Sequence, residues 1–155
     1  MLSIEAVDPQ GADAMALLRE AVLDARAVYP ELAPPDAPFP TNSPLPERAL
    51  YLVAYIDGEP VACGAIWPYE AAVAQVRRMY VHREHRRSGL ARAVLTRLIG
   101  AARSFGYRRL VLETGFRQIA AMRFYEAAGF SRIAPFGKYA NDPTSVCYEL
   151  DISGA

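Results

Sequence analysis

Arg86-Arg87-Ser88-Gly89-Leu90-Ala91 joins a strand-like run, Val76–Val81, to a strongly amphipathic segment, Leu90–Phe105. The apolar residues of that segment fall at 90, 91, 94, 95, 98, 99, 102 and 105, the spacing of one helix face, and Gly106 follows as a C-cap. A small-residue loop entering a helix leaves amide N–H groups without intrahelical acceptors. With the helix dipole they favour an anion such as a pyrophosphate. The surrounding charge agrees. Residues 77–109 hold ten arginines against the single acid Glu84, whereas residues 1–60 hold three arginines against ten acids. The formal net charge of zero hides this division.

A dinucleotide-binding turn has a similar outline: strand, glycine turn, helix, and a strand ending in an acid, here Glu113. That turn needs Gly-x-Gly-x-x-Gly, and Gly89-Leu90-Ala91-Arg92-Ala93-Val94 lacks the third glycine that lets helix and strand pack closely. No Gly-x-x-x-x-Gly-Lys-Ser/Thr is present, so a nucleoside triphosphatase is not supported. Nucleic acid is not an expected partner, because the basic segment lacks interleaved aromatics and the N-terminal part is acidic.

The loop fits the Arg/Gln-x-x-Gly-x-Gly/Ala signature of the GNAT acetyltransferases. Downstream, Ala121-Met122-Arg123-Phe124-Tyr125-Glu126-Ala127-Ala128-Gly129-Phe130 resembles that family's Ala-x-x-x-Tyr-Glu-x-x-Gly-Phe segment. The two stand in the family's order and spacing, and the resemblance covers about residues 48–151. It implies an α/β fold: a mixed, mostly antiparallel sheet of about seven strands flanked by helices, with splayed fourth and fifth strands. It implies acetyl-coenzyme A as cosubstrate, its pyrophosphate on residues Arg86, Arg87, Ser88, Gly89, Leu90 and Ala91. Met79 and Val81 would offer backbone groups to the pantetheine arm. Tyr125 takes the place of the family's general acid. Gln118 stands where the family usually has asparagine, so its cofactor contact is a longer-armed version. Many members carry a glutamate on the fourth strand, but the matching position here is Gln75, which cannot take a proton.

A chain of 155 residues suits one domain, 1–155, with one core. No run approaches the ~18 apolar residues that span a bilayer, and the N-terminus lacks a basic and an apolar export region. A cytoplasmic protein with no membrane partner is expected, and a homodimer is left open. Cys63 and Cys147 fall in strand-like runs and read as buried thiols; neither sits in a motif for an acyl-enzyme, so direct transfer is expected. With two histidines and no Cys-x-x-Cys, no metal site is expected.

Leu2–Val7 reads as a strand. Asp8 and Pro9 then read as N-cap and first residue of a helix running to Val28. Residues 29–46 hold seven of the twelve prolines and read as a stiff loop, either a substrate-side lid or a cover for the sheet edge. Asp57-Gly58 marks a hairpin between Leu50–Ile56 and Pro60–Trp67. Val73–Val81 and Arg109–Thr114 read as strands, Gln118–Ala128 as a helix, and Phe130–Ile133 and Ser145–Asp151 as the last strands.

Tyr125 shares a helix face with Gln118 and Met122 by spacing. A phenol there can protonate a departing thiolate, or it can be a core tyrosine with its hydroxyl bonded to backbone. Glu113 is either the general base or a structural acceptor, and His82 is a reserve base. Phe39, Tyr51, Trp67, Glu70, Phe136 and Tyr139 are candidates to line an acceptor pocket or to be ordinary core and rim residues. The enzymatic reading is an N-acetyltransferase for a small-molecule amine, with the acidic N-terminal region favouring a cationic one. Acetylation of protein N-termini or lysines, and an acyl-coenzyme A sensor without turnover, are the alternatives.

Overall fold

A computed structural model describes residues 1–32, 34 and 36–154. Seven strands among the described residues form one sheet, in the order β1-β2-β3-β4-β5-β7-β6. They are β1 (Leu2–Ala6), β2 (Leu50–Ile56), β3 (Glu59–Glu70), β4 (Val73–Val81), β5 (Arg109–Gly115), β6 (Ser131–Ile133) and β7 (Ser145–Asp151). Three helices flank it: α1 (Ala12–Val28), α2 (Leu90–Ser104) and α3 (Ile119–Ala127). Every neighbouring pair is antiparallel except β4 and β5. The expected mixed sheet is therefore present. Among the described residues no helix is long and apolar enough to cross a membrane.

The β2–β3 turn needs left-handed backbone at two successive residues. Asp57 and Gly58 supply it with φ of 50° and 83°. The start of α1 differs from the sequence reading. Asp8 is not its cap: its carboxylate accepts the Gln10 N–H at 2.9 Å and its carbonyl accepts the Gly11 N–H at 2.9 Å. An aspartate before proline thus closes a turn, and the helix begins only at Ala12, capped by Gly11.

The two sheet faces carry separate cores. On one, Leu90, Val94 and Leu98 of α2 and Tyr125 of α3 pack with Leu52, Ala62, Ile66, Val76, Leu110, Leu112 and Tyr148. On the other, Ala14 and Leu17 of α1 cover Tyr51, Val53, Cys63 and Ala65. Both cysteines are buried free thiols.

A bulge interrupts the alternation of β4. Arg78 has φ of 61°, and the β3–β4 register shifts between Cys63 and Ala65. Strand alternation would send Arg77 and Arg78 to opposite faces. The extra residue instead puts both on the α1 face and returns Met79 to the α2 face. Gly64 makes room for this. A Cβ there would lie 2.5 Å from Met79 Sδ, 2.8 Å from Val94 Cγ1 and 3.1 Å from Leu98 Cδ1. Gly64→Val is expected to destabilise the fold by about 1–3 kcal/mol through overpacking. That is a fall of roughly 3–10 °C in the thermal midpoint; an unchanged midpoint would show that β3 and α2 are not held this closely.

β4 and β5 pair only over Val73↔Arg109, Ala74↔Leu110 and Gln75↔Val111. Beyond these, β4 continues to Val81 and β5 to Gly115, so the two edges part and a gap opens in the sheet.

Candidate active site

The loop before α2 sits at one end of the gap. Arg87 and Gly89 have φ of 62° and 84°, and Gly89 is the N-cap of α2. Left-handed residues beside a helix start turn successive amides toward one point, which makes an anion nest. The amides of residues 87–92 donate to no protein acceptor among the described residues. Ser88 Oγ donates to the His85 carbonyl and tightens the loop. Leu90 is buried, so only its backbone is available.

Arg86 has two of its three guanidinium nitrogens engaged within the protein. Its Nε donates to the Val81 carbonyl at 2.9 Å and its Nη2 to Asp24 Oδ2 at 2.8 Å. The guanidinium ties the loop to α1, because an acid one turn from the end of that helix lies within reach. Arg87 is exposed and has no acidic partner among the described residues.

A Cβ on Gly89 would meet no atom within 4 Å. Added bulk therefore clashes with nothing in the protein itself. A β-branched residue at this φ is nevertheless strained, which would distort the turn that aims the amides. Gly89→Val is expected to weaken acetyl-coenzyme A binding about tenfold by calorimetry. Unchanged affinity would remove the pyrophosphate from this loop.

Past Gln75, the β4 edge that carries Met79 and Val81 faces the gap, and their side chains pack in the α2-side core. Tyr125, on α3, is 7% exposed and set edge-on against Phe124 and Phe130. Its hydroxyl makes no hydrogen bond to a protein atom among the described residues, so it is not the backbone-bonded core tyrosine that the sequence also allows. Among the described residues no side-chain oxygen or nitrogen fully closed off from solvent lacks a partner, so this hydroxyl keeps an opening. Burial pushes its pKa up, which keeps the phenol protonated. Gln118 is the N-cap residue of α3 and makes no capping bond with its side chain.

Glu113 lies on β5 between Leu112 and Thr114. Leu112 faces the α2-side core, so alternation puts Glu113 on the α1 face. Its partner is the Ser145 hydroxyl, which donates to Oε2 at 2.8 Å, and not the backbone of the following turn. Burial raises its pKa, the Ser145 hydrogen bond opposes that, and Asp142 adds to it. His82 is otherwise engaged: its Nδ1 accepts the Glu84 N–H at 3.2 Å, and its Nε2 lies 3.3 Å from Glu20.

The acceptor-side candidates separate. Tyr51 is wholly buried and lines a cavity of about 160 Å³ between α1 and the sheet, with Leu18, Ala21, Val22, Ala25, Cys63, Arg78 and Met79. Tyr139 comes in from the loop before β7, where its hydroxyl accepts from Gln75 Nε2 at 3.2 Å. Phe136 packs edge-on against both Tyr69 and Tyr139. Trp67 lies under the Arg77 guanidinium, and Glu70 is 3.9 Å from Arg109. Phe39 does not line the cavity. Its ring is held by the guanidinium groups of Arg19 and Arg26, 3.9 and 4.5 Å from its centroid. Cation–π attraction to the polar flank of α1 fixes it there.

The proline-rich loop, of which Ala33 and Pro35 lie outside the described residues, is tied down along its length. Tyr29 Oη accepts the Arg117 N–H at 2.8 Å, Arg26 donates to the carbonyls of Ala37 and Pro38, and Asn42 is buried. Sequence reasoning missed Asn42 and Arg78. The signal for Arg78 was two adjacent arginines inside an apolar strand, which is the mark of a bulge. Arg78 is the one charged residue lining the cavity, and it is a cation, despite the acidic bias of residues 1–60.

Comparison with known proteins bears on this geometry. Residues 15–130 match the acetyltransferase (GNAT) family. An IAA acetyltransferase of Azospirillum brasilense is 38% identical over 100 residues; the match covers 64% of this chain and 65% of that protein, so it spans just under two thirds of the relative's length. A Klebsiella pneumoniae structure, named as a candidate acyl-CoA N-acyltransferase, is 31% identical with a TM-score of 0.80, and 98% of each chain is covered. A GNAT family acetyltransferase from Elizabethkingia anophelis, solved with acetyl-CoA bound, has a TM-score of 0.68 over 97% of each chain. At 15% identity that last likeness concerns the fold.

Proposed function

The chain belongs to the acetyltransferase (GNAT) family, and from that premise we propose that it transfers the acetyl group of acetyl-coenzyme A to the amine of a small molecule. Residues 1–155 act in this reading as a single N-acetyltransferase domain. The observation that carries the reading is the gap between β4 and β5. The free amides of residues 87–92 lie at one end of it, the unpartnered Tyr125 hydroxyl on one face and the α1-side cavity on the other.

Acetyl-coenzyme A supplies the acetyl group as a thioester, so a C–N bond forms, a C–S bond breaks, one proton leaves nitrogen and one reaches sulfur. The loop amides, with Arg87 beside them, hold the pyrophosphate. Backbone groups of Met79 and Val81 on the open β4 edge align the pantetheine arm as an added strand would. Gln118 offers its amide at the start of α3. Tyr125 donates to the departing sulfur. Glu113, directly or through a water, accepts the proton from nitrogen. Tyr51 and Tyr139 line the acceptor's side, with Trp67 at its margin; Phe39 holds the loop against α1 and touches no substrate.

A small acceptor is favoured over a folded protein because the cavity is small and the proline-rich loop, which reaches its lining through the Asn42–Arg78 hydrogen bond, is pinned by Arg26 and Asn42. Incubation with acetyl-coenzyme A and a panel of amines, peptides and proteins, with thiol detection, tests the reading. Thiol release with small primary amines is expected. Release confined to peptides or proteins would replace the acceptor class. Cofactor binding with no release from any acceptor would make the chain a sensor.

A further inference from the structure

We infer that Arg78 is a carboxylate-binding residue in the α1-side cavity, so that the acceptor is an amine carrying both a carboxylate and a short apolar body, as an apolar α-amino acid does. The inference rests on the acetyl-transfer reading and names its substrate class.

Arg78 is held from one side only. Its Nε donates to Asn42 Oδ1 at 2.8 Å. Asn42 is itself locked, its Nδ2 donating to the Pro9 carbonyl at 2.7 Å and to Tyr51 Oη at 3.3 Å, while its carbonyl accepts from Gln10 Nε2 at 3.1 Å. The two terminal nitrogens of the guanidinium have no acceptor among the described residues, and no carboxylate lies within 4.0 Å of them. The nearby acids of α1 are taken: Glu20 by His82, and Asp24 by Arg86 and Tyr80. Arg78 is half-buried and lines the cavity, and among the described residues no fully buried side-chain nitrogen goes unpaired, so the free ends of the fork are not closed off from solvent.

An unpaired, partly desolvated guanidinium is unfavourable without an anion. Its planar fork matches a carboxylate with two parallel N–H···O bonds. The walls around it are apolar: Leu18, Ala21, Val22, Ala25 and Met79. They suit an aliphatic or aromatic substituent and offer no acid to a second cationic group. Burial already pulls the Arg78 pKa down, as does the neighbouring Arg77, and a bound carboxylate would reverse both effects. The residue also stands on β4 beside the gap, so a carboxylate held here leaves an adjacent amine facing the β4–β5 opening.

The test pairs each amino acid with its decarboxylated amine, leucine with isoamylamine and phenylalanine with phenethylamine, in the thiol-release assay. For wild type, kcat/KM is expected to be at least tenfold higher for the carboxylated member. In Arg78→Gln this preference should vanish through a rise in KM for the carboxylated member. Arg78→Lys should recover only part, since it restores the charge but not the fork. Equal use of both members by wild type, or an equal loss on both in Arg78→Gln, would overturn the inference. Should no amine be acetylated, the transfer reading fails and calorimetry still decides this one. N-acetyl-leucine binding at least tenfold tighter than its methyl ester to wild type, and not to Arg78→Gln, supports the carboxylate site. Equal binding of acid and ester to wild type overturns it.

Discussion

Tyr125→Phe is expected to lower kcat about 10²-fold while leaving acetyl-coenzyme A affinity nearly unchanged. The substitution keeps the ring, and the ring is what the fold uses. It packs edge-on against Phe124 and Phe130 and belongs to the core between α2, α3 and the sheet. The hydroxyl contributes nothing to that packing, having no partner within the protein among the described residues. Removing it therefore leaves no broken hydrogen bond, and the stability should stay within about 0.5 kcal/mol of wild type. In the proposed reaction what disappears is the donor for the sulfur, an interaction that strengthens only as the C–S bond breaks and so acts on kcat. Tyr148→Phe is the contrasting control: its hydroxyl already donates to Glu126 Oε2 at 2.6 Å, so its loss should appear in stability before turnover. Near-normal turnover in Tyr125→Phe, with chemistry shown to be rate-limiting, would return Tyr125 to the core alone.

The fold was readable because most of its signals are local. The Asp57-Gly58 turn, the apolar face of α2 and the glycines at 106 and 129 each act within a few residues, and the elements between them fell close to where they were read. Asp8 misled because a capping aspartate and a turn-closing aspartate look alike until Gly11 takes the cap. The turn before α2 was legible for the same local reason. The surroundings of the α1-side cavity were not. Arg78 depends on a bulge that breaks the two-residue alternation used to assign faces, and the bulge depends on Gly64 in the neighbouring strand. Asn42 works through partners 33 and 36 positions away. Phe39 was drawn toward the cleft in the sequence reading because an aromatic in a loop suggests a pocket. The pull came instead from two arginines on the polar flank of α1, a contact that no apolar periodicity records.

Glu113→Gln should lower kcat/KM about 10²-fold at neutral pH and erase the acid limb of the pH profile. A base must be ionised to accept a proton, and burial raises the Glu113 pKa above its ordinary 4.5. The wild-type limb should therefore fall above pH 4.5, displaced upward from that of an exposed glutamate. The same shift fixes the sign of a stability effect. A carboxyl whose folded pKa is raised contributes stability that is fully present below its unfolded pKa and is lost as pH rises through the folded pKa. When ionised, wild type carries a half-buried charge that Gln at this position lacks, while the Gln carbonyl can still accept from the Ser145 hydroxyl. Glu113→Gln is accordingly expected to be the more stable protein at about pH 7–8, with the gain shrinking toward about pH 4 as wild type becomes protonated. Ser145→Ala tests the arrangement from the other side. It removes the hydrogen bond that opposes the shift, so the acid limb should move further up. An inactive Glu113→Gln that is also less stable at neutral pH would identify a structural acceptor. A more stable and slower one would identify a carboxylate kept at a cost to the fold for the proton it takes.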